Sequence, residues 1–251
     1  MLTNSNPQLP SPEYPYHPSL ALVNHVNNVP NGLALATPAP PVTQLNLNGT
    51  QRPNQFGTIG PADPISAFYH YFYNSHPFCL PRPKLMGVFK ERQAGLLELA
   101  VQYIGSSFLP ASPTDMYKSA MDRTIASQNY PRDGFAVQAL LLFGIGLHAN
   151  NEIPRAAQIF IMAQNLTIEI GLHRLDFSLI NGNGDPVLEE SWRRTWWSMY
   201  TANGMMTAVN PGVQFRLKDV ITDVPLPCED HQYFSGVSPP TFFLFRFLIL
   251  Y

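Results

Sequence analysis

The sequence predicts an all-α domain of stacked helical hairpins behind a disordered N-terminal segment. Three observations carry that prediction. From about residue 63 onward, apolar residues recur at three- and four-residue spacing. Asp-Pro or lone Pro positions open successive segments and Gly or Pro closes them, the asymmetry of helix ends. One run, Phe135 to Leu147, is apolar on every side, as a central buried helix must be.

Residues 1–62 are read as a Pro/Asn-rich linker and 63–251 as one helical domain. The chain has 25 Pro, roughly half of them before residue 65. Only Glu13 and Arg52 carry charge up to position 62, and no period persists. Such composition cannot bury enough apolar surface to offset chain entropy.

Asp63-Pro64 opens the first helix, whose apolar face is Ile65, Phe68, Tyr69, Phe72 and Tyr73; His76-Pro77 ends it. Pro83 opens a second, running through Leu85, Val88, Phe89, Leu96, Leu99, Ala100 and Tyr103 at helical spacing. Ser112 and Asp115 have the spacing of a capping box for a helix ending near Ser127. Pro131 interrupts and Asp133 caps the central apolar helix. Gly144 and Gly146 inside that helix read as close packing points; Gly144-x-Gly146 lacks the strand and third Gly of a phosphate loop. Asn150-Asn151 turns the chain into an Ala-rich helix from Pro154 to Gly171, forming a helical hairpin.

A polar loop containing Asn181-Gly182-Asn183-Gly184 follows, and Asp185-Pro186 starts the most distinctive helix. All three Trp fall within six consecutive positions, 192–197. Glu189 and Glu190 occupy its first turn, where negative charge suits the helix dipole. Glu189–Arg193 and Glu190–Arg194 are spaced i, i+4 with the acid first. Trp192, Trp196, Met199 and Asn203 share one face; Trp197 and Tyr200 widen it. The favoured reading is a core helix with a salt-bridged outer edge, since aromatic stripes at this spacing usually pack. The alternative is an effector groove, with Trp192, Trp196, Met199 and Tyr200 as its candidate residues. Beyond Asn210-Pro211-Gly212, residues 213–227 read as an extended strap along the helices, with Asp219 and Asp223 bonding backbone. Phe242 to Leu250 reads as a last, very apolar helix in which the sequence stops, as a truncated product or incomplete gene model would.

Several functions find no support. Lys+Arg is 15 against Asp+Glu 17, a net charge of −2 that gives no electrostatic footprint for nucleic acid. No run of about 18 apolar residues predicts a membrane span, and no secretory signal is visible. Cys79 and Cys228, the two cysteines, carry no metal spacing, and their scarcity fits a reducing compartment. His70, His76 and Cys79 lie close together but lack the fourth ligand of a structural zinc site. No Gly-x-Ser-x-Gly, His-Glu-x-x-His, Walker or dinucleotide motif occurs, so no enzyme is expected and no catalytic or metal residues are assigned. His173, after Gly171, reads as packing or capping.

Three motifs in order resemble one family. Tyr71-Phe72-Tyr73-Asn74-Ser75-His76-Pro77-Phe78, the Ala-rich helix ending Gly171-Leu172-His173-Arg174 with Arg193-Arg194-x-Trp196-Trp197-x-x-Tyr200, and Asp219-x-x-x-Asp223-Val224-x-Leu226-Pro227 resemble the middle homology domain of fungal zinc-cluster transcription factors. Asn203 stands where the family usually has an acid. The resemblance implies a nuclear regulatory domain that modulates RNA polymerase II transcription by binding an effector or co-regulator, with a homodimer as a further expected partner. It also implies that zinc and DNA contact belong to a six-Cys cluster ahead of this chain, because two Cys cannot build one. A helical interaction scaffold or non-DNA-binding remnant is the competing reading.

Overall fold

The computed structural model describes residues 62–209 and 214–235. The expected N-terminal linker, the Asn210-Pro211-Gly212 turn and the Phe242–Leu250 helix lie outside the described residues. Among the described residues all regular structure is helical and there is no strand.

Helix α1 (Pro64–Ala67) starts where Asp63 accepts a hydrogen bond from the Ser66 backbone N–H at 2.9 Å. It runs directly into a π-helical turn, Phe68–Phe72, and a 3-10 turn, Tyr73–Ser75. The wide turn, closed by the Tyr73 N–H on the Phe68 carbonyl, lets Phe68, Phe72 and Tyr73 all reach the core.

The single helix expected from Pro83 to Tyr103 is in fact two, α2 (Arg82–Lys90) and α3 (Gly95–Ser106). Between them Arg92 takes a left-handed conformation (φ 57°), and the Gln93 N–H bonds back to the Val88 carbonyl. The bend keeps both Phe89 and Leu96 buried. Helix α4 (Thr114–Ser127) ends where expected. Its capping box does not form: Pro113 occupies the cap position, and Ser112 contributes only its carbonyl, to the Thr114 N–H.

Helix α5 (Gly134–Ala149) is the axis of the body. Asp133 caps it by accepting from the Ala136 N–H at 2.9 Å. Twelve of its residues are buried, and it packs on α3, α6 and α8. Gly144 and Gly146 are the close-approach points. A Cβ at Gly146 would lie 2.5 Å from Tyr103 Cε1, and one at Gly144 would lie 3.1 Å from the Phe160 ring. Asn151 at φ 61° turns the chain into α6 (Ile153–Glu169), making the expected hairpin, and Gly171 at φ 77° closes it.

Part of the expected polar loop is helical. Helix α7 (Leu175–Asn181) precedes α8 (Pro186–Val209), the longest described element. Residues 214–229 then run back along the body without regular structure apart from one turn, and α9 (Asp230–Ser235) ends the described chain.

Candidate functional site

Helix α8 presents two faces with different work. Asp185 accepts from the Val187 N–H at 3.0 Å and starts the helix as expected. The first face, Trp192, Trp196, Met199 and Asn203, is sealed in the core. Trp192 packs edge-on against Phe135 at 4.9 Å and donates its Nε1–H to the Asn181 carbonyl at 3.1 Å. Trp196 is fully buried beside His173, ring centroids 6.1 Å apart. Burial, then the neighbouring Arg174 charge, lowers the His173 pKa. Tyr200 is half-buried under Phe215, centroids 5.0 Å apart. The four candidate groove residues therefore lie on the core side of α8 or under its strap.

The charged start of α8 is not a solvated outer edge. Glu190 is 1% exposed and Arg194 5% exposed. Glu190 accepts from Arg194 Nε at 2.9 Å, from Arg193 Nε at 2.8 Å and from the Cys228 backbone N–H at 2.9 Å. Arg193 thus pairs with Glu190 at i, i+3 rather than with Glu189. Arg194 also donates to Asp230 at 2.6 Å and to the Cys228 carbonyl at 2.6 Å, and lies over the Tyr233 ring at 4.4 Å. The pair is a clamp: it holds the strap, 34 to 39 residues downstream of Arg194, against the helix.

Other ties repeat this logic. Leu217 N–H donates to Asn203 Oδ1 at 3.0 Å, and Trp197 Nε1–H to the Pro225 carbonyl at 2.8 Å. Asp223 caps α7 by accepting from the Leu175 N–H at 2.7 Å, the backbone role expected of it; Asp219 is exposed. Thr222 donates to the His173 carbonyl at 2.8 Å, and Tyr233 to the Cys79 carbonyl at 2.7 Å. Beneath the clamp, Gln138 of α5 donates to the Phe78 carbonyl, Ser191 and Thr195, a buried network that fixes α5 against α8.

The second face of α8 borders a cavity of about 530 Å³. Arg194, Trp197, Ser198, Thr201, Ala202 and Met205 line it at steps of three and four residues, one long wall of the site. Leu141, Ile145 and His148 of α5 and Phe160 of α6 form the opposite side. Ser75, His76, Pro77 and Phe78 close one end, with Pro227 of the strap. Arg194 therefore belongs to both the clamp and the cavity wall. None of Trp192, Trp196, Met199 or Tyr200 lines it. The available signal was the run of small residues, Ser198, Thr201 and Ala202, spaced along the face beyond Trp197: short side chains at helical spacing leave room.

A helical body whose last described segment is strapped down by a buried arginine, with an apolar cavity along the strapped helix, is all-helical and without an evident catalytic centre among the described residues. The family model for the fungal specific transcription factor domain matches residues 68–248. The chain belongs to that family, one of transcription regulators. It is 38% identical over 182 residues to a C6 finger domain transcription factor, iacK, of Pestalotiopsis fici, covering 72% of this chain and 27% of that relative's length. No solved structure matches the chain.

The zinc cluster that the relative's name implies does not fit the residues here. The chain holds two cysteines, Cys79 and Cys228, where such a cluster takes six. Burial pushes both up, away from the thiolate form that zinc needs. Among the described residues no three His, Cys, Asp or Glu side chains gather as a metal site, His70, His76 and Cys79 included. No described helix is long and apolar enough to cross a membrane.

Proposed function

We propose that this chain is the regulatory part of a nuclear transcription factor, and that an effector binding in the α8 cavity changes how tightly the strap is held. One observation carries the reading: Arg194 stands in the cavity wall and is also the hub of the clamp on Cys228 and Asp230. A ligand that moves Arg194 biases the clamp, and the exposed strap surface is what a co-regulator would meet. A ligand shifts such an equilibrium only by its differential affinity for the two arrangements. DNA contact, on this reading, comes from a zinc cluster outside this chain, and the chain itself catalyses nothing.

Tryptophan fluorescence during a metabolite screen tests the binding half, because Trp197 stands in the cavity wall. A reporter gene driven by the regulator that contains this chain tests the output half. Ala202→Trp, which fills the cavity, is expected to remove the fluorescence response and to fix reporter output at one level. A regulator that still responds to its inducing conditions with the cavity filled would sink the proposal.

A further inference from the structure

We infer that the α8 cavity takes an uncharged, largely apolar, ring-bearing small molecule, held at its polar end by neutral hydrogen bonds and not through a carboxylate or phosphate. The inference rests on the effector reading above and names the class of effector.

Size comes first. A cavity of about 530 Å³ sits inside the range of about 300–1,000 Å³ that serves drug-sized ligands. Its surface is mainly apolar: Leu141, Ile145 and Phe160 face Trp197 and Met205 across it. A flat ring suits these walls, since the half-buried Trp197 indole offers an aromatic surface and a thioether sits well at a ring edge.

Charge narrows the class. Among the described residues no Asp, Glu or Lys lines the cavity, so a cationic ligand would meet no counter-ion from them. Among the described residues Arg194 is the one fixed cation in the wall, and it is already engaged: Nε on Glu190, one terminal nitrogen on Asp230, the other on the Cys228 carbonyl. With Arg193 also on Glu190, the two arginines are balanced by two carboxylates. A ligand carboxylate or phosphate reaching Arg194 would have to displace Asp230, and it would lie near the buried Glu190. Desolvating that anion without a free partner is unfavourable.

Neutral polar groups remain. The hydroxyls of Ser198 and Thr201, one turn apart on the wall, make no hydrogen bond to another described residue. A few convergent polar groups on an apolar wall are what orient an uncharged ligand. A ketone, hydroxyl or amide on the ligand is the complement.

The test is a direct comparison of probes on the full chain at pH 8, where an ordinary histidine is neutral. Nile red, neutral and polycyclic, is titrated beside anilinonaphthalene sulfonate, anionic and of similar ring size. Nile red is expected to bind at least tenfold tighter and to quench Trp fluorescence. Ala202→Trp inside the cavity and Thr201→Phe at its exposed rim are each expected to weaken Nile red at least tenfold without lowering Tm. If the sulfonate binds as tightly and the same two variants expel it, the uncharged class is wrong while the effector cavity stands. If neither variant changes the binding of either probe, the effector cavity itself is wrong. If no probe binds and Ala202→Trp lowers Tm, another part of the chain already fills the space, and that overturns both.

Discussion

Replacing Arg194 with Met is expected to lower the stability of the domain by about 3 kcal/mol. Glu190, 1% exposed, would keep Arg193 and the Cys228 N–H but lose its second cation. Removing one partner of a buried pair costs about 3–5 kcal/mol. Two features place the value at the low end: Arg193 still faces Glu190, and the Asp230 side chain is 56% exposed, so water replaces that arm. Adding Glu190→Gln removes the stranded charge, so the double variant is expected to lose less than the two single losses summed, by about 2 kcal/mol. Urea unfolding followed by Trp fluorescence measures each corner of the cycle. Trypsin provides an independent reading, because Arg216 and Lys218 lie exposed on the strap and should be cut faster once the clamp is gone. The clamp argument is refuted if the single variant loses under about 1 kcal/mol, or if the double variant loses the full sum.

Three further outcomes follow from the packing and the titration. Gly146→Ala forces a Cβ to 2.5 Å from Tyr103 and is expected to cost about 1–3 kcal/mol. Gly87→Ala, exposed within α2 and with nothing within 4 Å, is expected to add about 0.5–1 kcal/mol; equal urea midpoints for the two would contradict both. Burial, then the Arg174 charge, lowers the His173 pKa in the fold, so the unfolded chain protonates first as pH falls. Its contribution is complete above the ordinary histidine value of about 6.5 and declines as pH drops through it. Tm should fall between pH 7.5 and 5.5, and less so in His173→Phe; identical slopes would remove His173 from the account.

Most of the helical frame was legible because its signals are local. Asp63, Asp133 and Asp185 each cap the helix that follows, and Gly171 ends α6, from information carried within a turn of the chain. The central burial of α5 was legible too, since only an interior helix is apolar all round. What escaped depends on distant partners. Helix α7 starts with Leu175, whose N–H is capped by Asp223, and Phe177 packs on Trp192; neither is a neighbour in sequence. The break between α2 and α3 carries no Gly or Pro at Glu91 to Arg92, so the apolar period ran through it unnoticed. The Glu190–Arg194 spacing was readable, but its burial was not, because Cys228 and Asp230 supply the cover. The cavity face was hidden for a related reason: the three Trp drew attention to the face that packs, while short side chains mark the face that stays open.

The bond from Tyr233 to Cys79 spans 154 positions of sequence. At about 5–20 residues per second, a ribosome needs roughly 8–30 seconds to make that stretch. Once α5 and α6 are out they can pack with α3, but Glu190 and Arg194 leave the ribosome ahead of the segment that encloses them. Translation therefore delivers an almost complete body with its charged pair still wet. The segment from Cys228 to Tyr233 is what dries it, so burial of the pair waits on residues made well after it.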